Sequence, residues 1–127
     1  MTLKRIRLEL ARSHEFPEGS ARHGYELVAP LRADGHIDRD AWAKQRTACV
    51  VRRFWGGEDD LSGHLVHVGS RWAFHYDSAA APAPDEPGYR FDSHVFEPGE
   101  YVSITEGDGT LRTFKVASVN SATSRSG

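Results

Sequence analysis

Apolar residues recur along this chain with a period of two. In "LKRIRLELAR", Ile6, Leu8 and Leu10 fall on one side and Arg5, Arg7 and Glu9 on the other, the alternation of a half-buried strand. "YELVAPL" (Tyr25 to Leu31) predicts a second, shorter strand, with Pro30 marking its end or an edge position. "TACVVRRFW" (Thr47 to Trp55) concentrates the β-branched and aromatic residues that suit a pleated, half-buried surface. "GHLVHV" and "RWAFHY" flank Gly69 and Ser70, and glycine at the first turn position fits a type II′ hairpin. "FDSHVF" and "YVSITE" flank "EPGE", where Pro98 presets φ and Gly99 accepts the positive φ of a type II turn. "GDG" (Gly107 to Gly109) then turns the chain into "TLRTFKVASV".

One helix interrupts this pattern. Asp38 can accept from the free N–H groups of a first turn. Ile37 and Trp42 then stand at the two positions of a hydrophobic staple. The helix is predicted over residues 38–46. Two stretches lack periodicity: "SHEFPEGSARHG" (Ser13 to Gly24), and "DSAAAPAPDEPG" (Asp77 to Gly88), whose Ala and Pro content reads as an exposed loop. The pattern therefore predicts a mainly β fold: a small antiparallel β-barrel or bent sheet of about 7–8 short strands with one short helix. Residues 1–119 form a single β-rich domain in this reading, and 120–127 a disordered tail.

Composition narrows the partners. The 127 residues hold 16 Lys and Arg against 18 Asp and Glu, a net charge of −2. A dedicated nucleic-acid binder usually carries a basic excess, so no nucleic-acid partner is expected. Hydrophobic residues at 39% and charged residues at 27% are an ordinary soluble balance. The single cysteine, Cys49, excludes an intrachain disulfide and a closed cysteine zinc site. "MTLKRIRLELAR" lacks the apolar core of a signal peptide, and no stretch approaches the roughly 18 apolar residues of a membrane span. The expectation is a cytoplasmic protein without a membrane partner.

Three places could carry chemistry. The first is the hairpin "HLVHVGSRWAFHYD". With Gly69 and Ser70 at its turn, His67 faces Trp72, Leu65 faces Phe74, and His64 faces His75. Leu65, His67, Trp72, Phe74 and Tyr76 then share one face, which reads as core. His64, His75 and Asp77 share the other. Two imidazoles and a carboxylate suit a divalent metal such as zinc or iron; the alternative is a polar pair on a solvated face. The second place is the irregular segment with Glu15, Glu18 and His23, where a carboxylate and a histidine could do general acid–base work, or simply be solvated.

The third is a set of aromatic and cationic residues in which Arg53, Trp55 and Trp72 are the candidate ligand-binding group. Arg52 and Arg53 point to opposite faces of their strand. One of them therefore faces the side of Cys49, Val51 and Trp55, where a partly buried guanidinium wants an anionic partner. Cys49 itself is expected to be buried and inert.

"FEPGEYVSI" followed by "RTFKVASV" resembles the flavin-binding barrel of ferredoxin-reductase-like enzymes. On that resemblance, Arg112 and Phe114 would correspond to the arginine and tyrosine of the family's Arg-x-Tyr-Ser motif. Lys115 stands where the serine would be, and the resemblance covers about the last quarter of the chain, so no family is assigned on it.

No strong catalytic pattern stands out. The expectation is a non-enzymatic module that binds a small molecule or a protein partner. The competing expectation is a small metal-dependent or acid–base enzyme using one of the His/carboxylate clusters. No cofactor is required, though a divalent metal would fit. Exposed strand edges leave room for a homodimer.

Overall fold

The computed structural model describes residues 3–68, 71–76, 86–88, 95–105 and 110–122. Its elements in chain order are β1 (Leu3–Leu10), β2 (Ser20–Pro30), α1 (Arg39–Lys44), a 3-10 turn (Arg46–Ala48), β3 (Val50–Trp55), β4 (Leu61–Val68), β5 (Arg71–Tyr76), β6 (Glu86–Gly88), β7 (Tyr101–Thr105) and β8 (Leu111–Ser121). The strands form one antiparallel sheet in the order β6-β5-β4-β3-β2-β1-β8-β7. The chain steps outward from β1 to β6, then returns on the other side of β1 as the β7–β8 hairpin. The sheet is a curled half-barrel. Among the described residues no helix is long and apolar enough to cross a membrane.

Tyr25 registers the curl. Its ring lies 5.1 Å from that of Phe74 on β5 and 5.2 Å from that of Phe114 on β8. Those strands are three and two places from β2 in the sheet order. At roughly 4.8 Å per strand, a flat sheet would hold such residues about 10–14 Å apart. The sheet therefore bends round a concave face, which holds Ile6, Leu8, Leu27, Leu65, Phe74, Ile104, Phe114 and Val116, all buried. The alternation in β1 sets this: Ile6, Leu8 and Leu10 are inward, and Arg5, Arg7 and Glu9 outward. The edge strands β6 and β7 approach each other.

The helix covers one end of the curl. Asp38 caps it, its Oδ1 accepting from the Ala41 N–H at 3.0 Å. Ile37 and Trp42 are both buried in the core cluster, as a hydrophobic staple requires. The Trp42 indole N–H donates to the Leu65 carbonyl at 2.9 Å, and its ring meets that of Trp72 edge-on at 5.1 Å.

The structure corrects several boundaries. The helix ends at Lys44, and 46–48 tighten into the 3-10 turn, with the Ala48 and Cys49 N–H groups donating to the Gln45 and Arg46 carbonyls. β3 therefore begins at Val50 and not at Thr47. β2 begins at Ser20, inside the stretch without periodicity, because β1 and β3 supply ladder partners to a locally polar sequence. Glu86 to Gly88, read as loop, pair with β5. Val95 and Phe96 are not strand. β8 runs to Ser121, and the Ala122 N–H donates to the Leu3 carbonyl. The "EPGE" turn forms as expected: the Glu100 N–H donates to the Glu97 carbonyl at 3.0 Å, with Gly99 at φ 96°. The turns at Gly69-Ser70 and Gly107–Gly109, and residues 77–85 and 91–94, lie outside the described residues.

Candidate functional site

The end of the curl opposite the helix collects the start of β2, the end of β3 and the start of β8. Here the β1–β2 register jumps from Glu9↔Gly24 to Leu10↔Ser20, leaving residues 21–23 without partners on β1. Such irregularities re-aim side chains. His23 instead pairs with Trp55 on β3, and the two rings meet edge-on at 4.6 Å. Gly56 leaves room for them, since a Cβ there would lie 3.2 Å from His23 Cε1. Phe16, from the β1–β2 loop, closes the cluster at 4.6 Å from the His23 ring and 6.4 Å from Trp55. The loop is held in place by the Ser13 N–H and the Gly19 N–H, both donating to the Phe16 carbonyl at 2.9 Å.

Two guanidinium groups lie over the Trp55 ring. Arg53 Cζ is 4.3 Å from its centroid and Arg112 Cζ 5.3 Å, within cation–π range. Both arginines are only 13% exposed. Each meets a carboxylate on an exposed side chain. Arg112 Nε and one Nη donate to the two carboxylate oxygens of Glu15 at 3.1 and 3.2 Å, the two-point geometry of an arginine fork. An Arg53 nitrogen lies 3.7 Å from Glu58 Oε1. His23 Nδ1 is 2.7 Å from Ser20 Oγ, which also accepts from the Arg22 N–H. A histidine at this distance could activate the serine hydroxyl, but the pair is local to the first residues of β2, where Ser20 Oγ also holds the Arg22 N–H.

Of the residues singled out from sequence, Glu15, His23, Arg53 and Trp55 converge here. Trp72 does not. It is 1% exposed and belongs to the core at the opposite end, edge-on to Trp42 and to His67. Its inward position on β5 faces the helix, where it borders a separate cleft of about 250 Å³ with Arg32, Asp38 and His67. Glu18 is also elsewhere. It borders an open cleft of about 840 Å³ with Glu9, Arg12, Ser20, Tyr101 and Lys115. Thr113 and Lys115 place this cleft on the face opposite Arg112 and Phe114. Its mixed charges converge on no single group.

His64 and His75 face each other across β4 and β5, as the hairpin register predicts. Asp77 lies outside the described residues. Among the described residues no three His, Cys, Asp or Glu side chains gather in a metal-binding group. Arg52, outward on β3, pairs with Asp60 at 2.9 Å and Glu26 at 3.5 Å. Cys49 is fully buried, and burial pushes its thiol from 9.0 up to about 11. That excludes a reactive thiolate near neutral pH.

Sequence reasoning missed Phe16 as a packing residue, and it reached Arg112 only through the flavin-barrel resemblance and not as a neighbour of Arg53 and Trp55. The signal for Arg112 was present: in "LRTFKVASV" it shares the parity of Phe114 and Val116, and that is the inward face. No family model matches the chain, nor does any curated protein or solved structure.

Proposed function

We propose that this chain is a small-ligand binding module whose ligand is anionic and docks at the end of the curl formed by His23, Arg53, Trp55 and Arg112. One observation carries the reading: two largely buried guanidinium groups are held over a single indole ring, each beside a carboxylate on an exposed side chain. Burying a guanidinium is costly unless it is paired. Both are paired here, but with carboxylates that water reaches, so an anionic ligand can exchange for one of them while the guanidinium stays packed on Trp55. A ligand oxyanion would bond the fork with the same geometry as a protein carboxylate, and Trp55 with Phe16 would supply apolar contact.

A thermal-shift panel of organic acids, phosphates and neutral analogues tests this, because a ligand that binds only the folded state raises the unfolding midpoint. Anions are expected to raise it, and Arg53→Gln and Arg112→Gln to lose the response while keeping the fold by circular dichroism. No response to any anion, or a response that survives both substitutions, would end the reading.

A second reading, a divalent-metal site, is favoured by the direct opposition of His64 and His75. It needs Asp77 or solvent to complete the ligand set. Metal analysis of the purified chain decides it: zinc or iron bound by the wild type and lost in His64→Ala and His75→Ala supports a site, and a metal-free wild type that does not respond to either ion rejects it.

A further inference from the structure

We propose that the cleft at the helix end of the curl holds a small uncharged molecule whose carbonyl oxygen accepts from the Trp72 indole N–H. This second site is independent of the anion-binding reading. A comparison of two tryptophans points to it. Trp42 and Trp72 are both buried, and their rings meet edge-on at 5.1 Å. The Trp42 N–H donates to the Leu65 carbonyl at 2.9 Å. The Trp72 N–H is buried too, yet among the described residues it has no hydrogen-bond partner. Buried polar groups are paired in about 90% of cases or more, so an exception calls for an explanation. A donor taken out of water and left unpaired forfeits its hydration. Phenylalanine would fill the same inward position on β5 and strand no donor.

Trp72 also forms part of the wall of a cleft of about 250 Å³. The connection between β2 and α1 supplies Arg32 and Ile37, the start of the helix supplies Asp38, Arg39 and Asp40, and β4 supplies His67, opposite Trp72 in the ladder. Backbone bonds fix that connection: the Arg32 N–H donates to the His36 carbonyl at 2.8 Å, and the Asp38 N–H to the Pro30 carbonyl at 2.9 Å. The volume is just under the roughly 300 Å³ at which pockets for drug-sized ligands begin. The occupant is therefore smaller than such a ligand.

The lining selects its class. Ile37 and Trp72 are buried and apolar. Around them stand two guanidinium groups, Arg32 and Arg39, and two carboxylates, Asp38 and Asp40. An ion of either sign would meet two like charges, and Asp38 is already engaged with the Ala41 N–H. The unpaired donor is neutral. It is matched by a neutral acceptor on an apolar body, which is an amide or a ketone.

Nuclear magnetic resonance of the full-length chain tests this. Each of the three tryptophans gives one indole N–H signal, assigned through its Trp→Phe variant. Butyramide and cyclopentanone serve as probes, and butyrate and butylamine as charged comparisons. One uncharged probe is expected to move the Trp72 signal downfield and saturably, while the Trp55 signal stays in place. Trp72→Phe, shown to be folded by circular dichroism, should weaken that probe by about two- to tenfold, the worth of one neutral hydrogen bond. The wild-type titration decides the proposal even if this variant does not fold. A Trp72 signal that no probe moves, or one that only exchanges magnetisation with water, overturns the site. Butyrate or butylamine moving it as strongly as butyramide overturns the uncharged class.

Discussion

Arg112 and Glu15 are 97 positions apart in the chain and meet in a two-point ion pair, 3.1 and 3.2 Å, at one end of the curled sheet. The pair joins the start of β8 to the loop between β1 and β2, next to the ladder bond from the Ala11 N–H to the Thr113 carbonyl at 3.0 Å. It exists because β8 adds to the outer side of β1, a consequence of strand order and not of local sequence.

The opposite end rests on Trp42. Its indole N–H donates to the Leu65 carbonyl and its ring packs on Trp72. Trp42→Ala should lower stability by about 3–5 kcal/mol, as large-to-small core changes do. Trp42→Phe keeps the ring but strands the Leu65 carbonyl, and should cost about 1–3 kcal/mol. Urea unfolding followed by circular dichroism ranks the two; a Trp42→Phe chain as stable as wild type would show that the hydrogen bond contributes nothing.

Two glycines should respond for different reasons. A Cβ on Gly24 would lie 2.0 Å from the Leu8 carbonyl oxygen, and backbone cannot give way there without breaking the β1–β2 ladder. Gly24→Ala is expected to cost about 3 kcal/mol or more. Gly99 has nothing within 4 Å of a Cβ, but its φ is 96°. Gly99→Ala should cost only about 1 kcal/mol, the strain of a left-handed alanine. Denaturant midpoints of both variants against wild type check the order.

Cys49 predicts an alkaline limit. Its thiol titrates near 9.0 when unfolded and near 11 when buried. Between those values the unfolded chain has lost the proton and the native chain still holds it, so stability falls as pH rises through this window. The slope approaches about 1.4 kcal/mol per pH unit at most. Cys49→Ala should flatten it, measured as the pH dependence of the urea midpoint. The same burial predicts that a thiol reagent labels the native chain slowly and the unfolded chain fast.

Glu26 stands among three arginines on the outward face: Arg5 at 3.9 Å, Arg7 at 3.7 Å and Arg52 at 3.5 Å. Each such contact is worth little where water reaches it. Together they should make Glu26→Gln cost about 1 kcal/mol at low salt, with the cost shrinking in high salt as the charges are screened. A cost independent of salt would point to packing and not to charge.

The period-two alternation determined the fold class on its own. It placed Ile6, Leu8 and Leu10 inward and separated Arg52 from Arg53, because side-chain alternation is a local property of extended backbone; placing the hairpin turn at Gly69-Ser70 then gave the His64↔His75 and Leu65↔Phe74 register. The Asp38 cap and the Pro98-Gly99 turn were legible for the same reason: their hydrogen bonds close within three residues. Tertiary structure decided the rest. Tyr25 reaches both Phe74 and Phe114 only because the sheet curls, and no periodicity encodes how far a sheet bends. Trp55 and Trp72, alike in the sequence as inward aromatics, went to opposite ends, one to the arginines and one to the core beneath Trp42. Glu15 and His23 lie in a stretch with no period, and they were brought to Trp55 by the β2 irregularity and by the packing of Phe16. Their meeting depends on loop conformation and strand order, which arise from contacts between residues far apart in the chain.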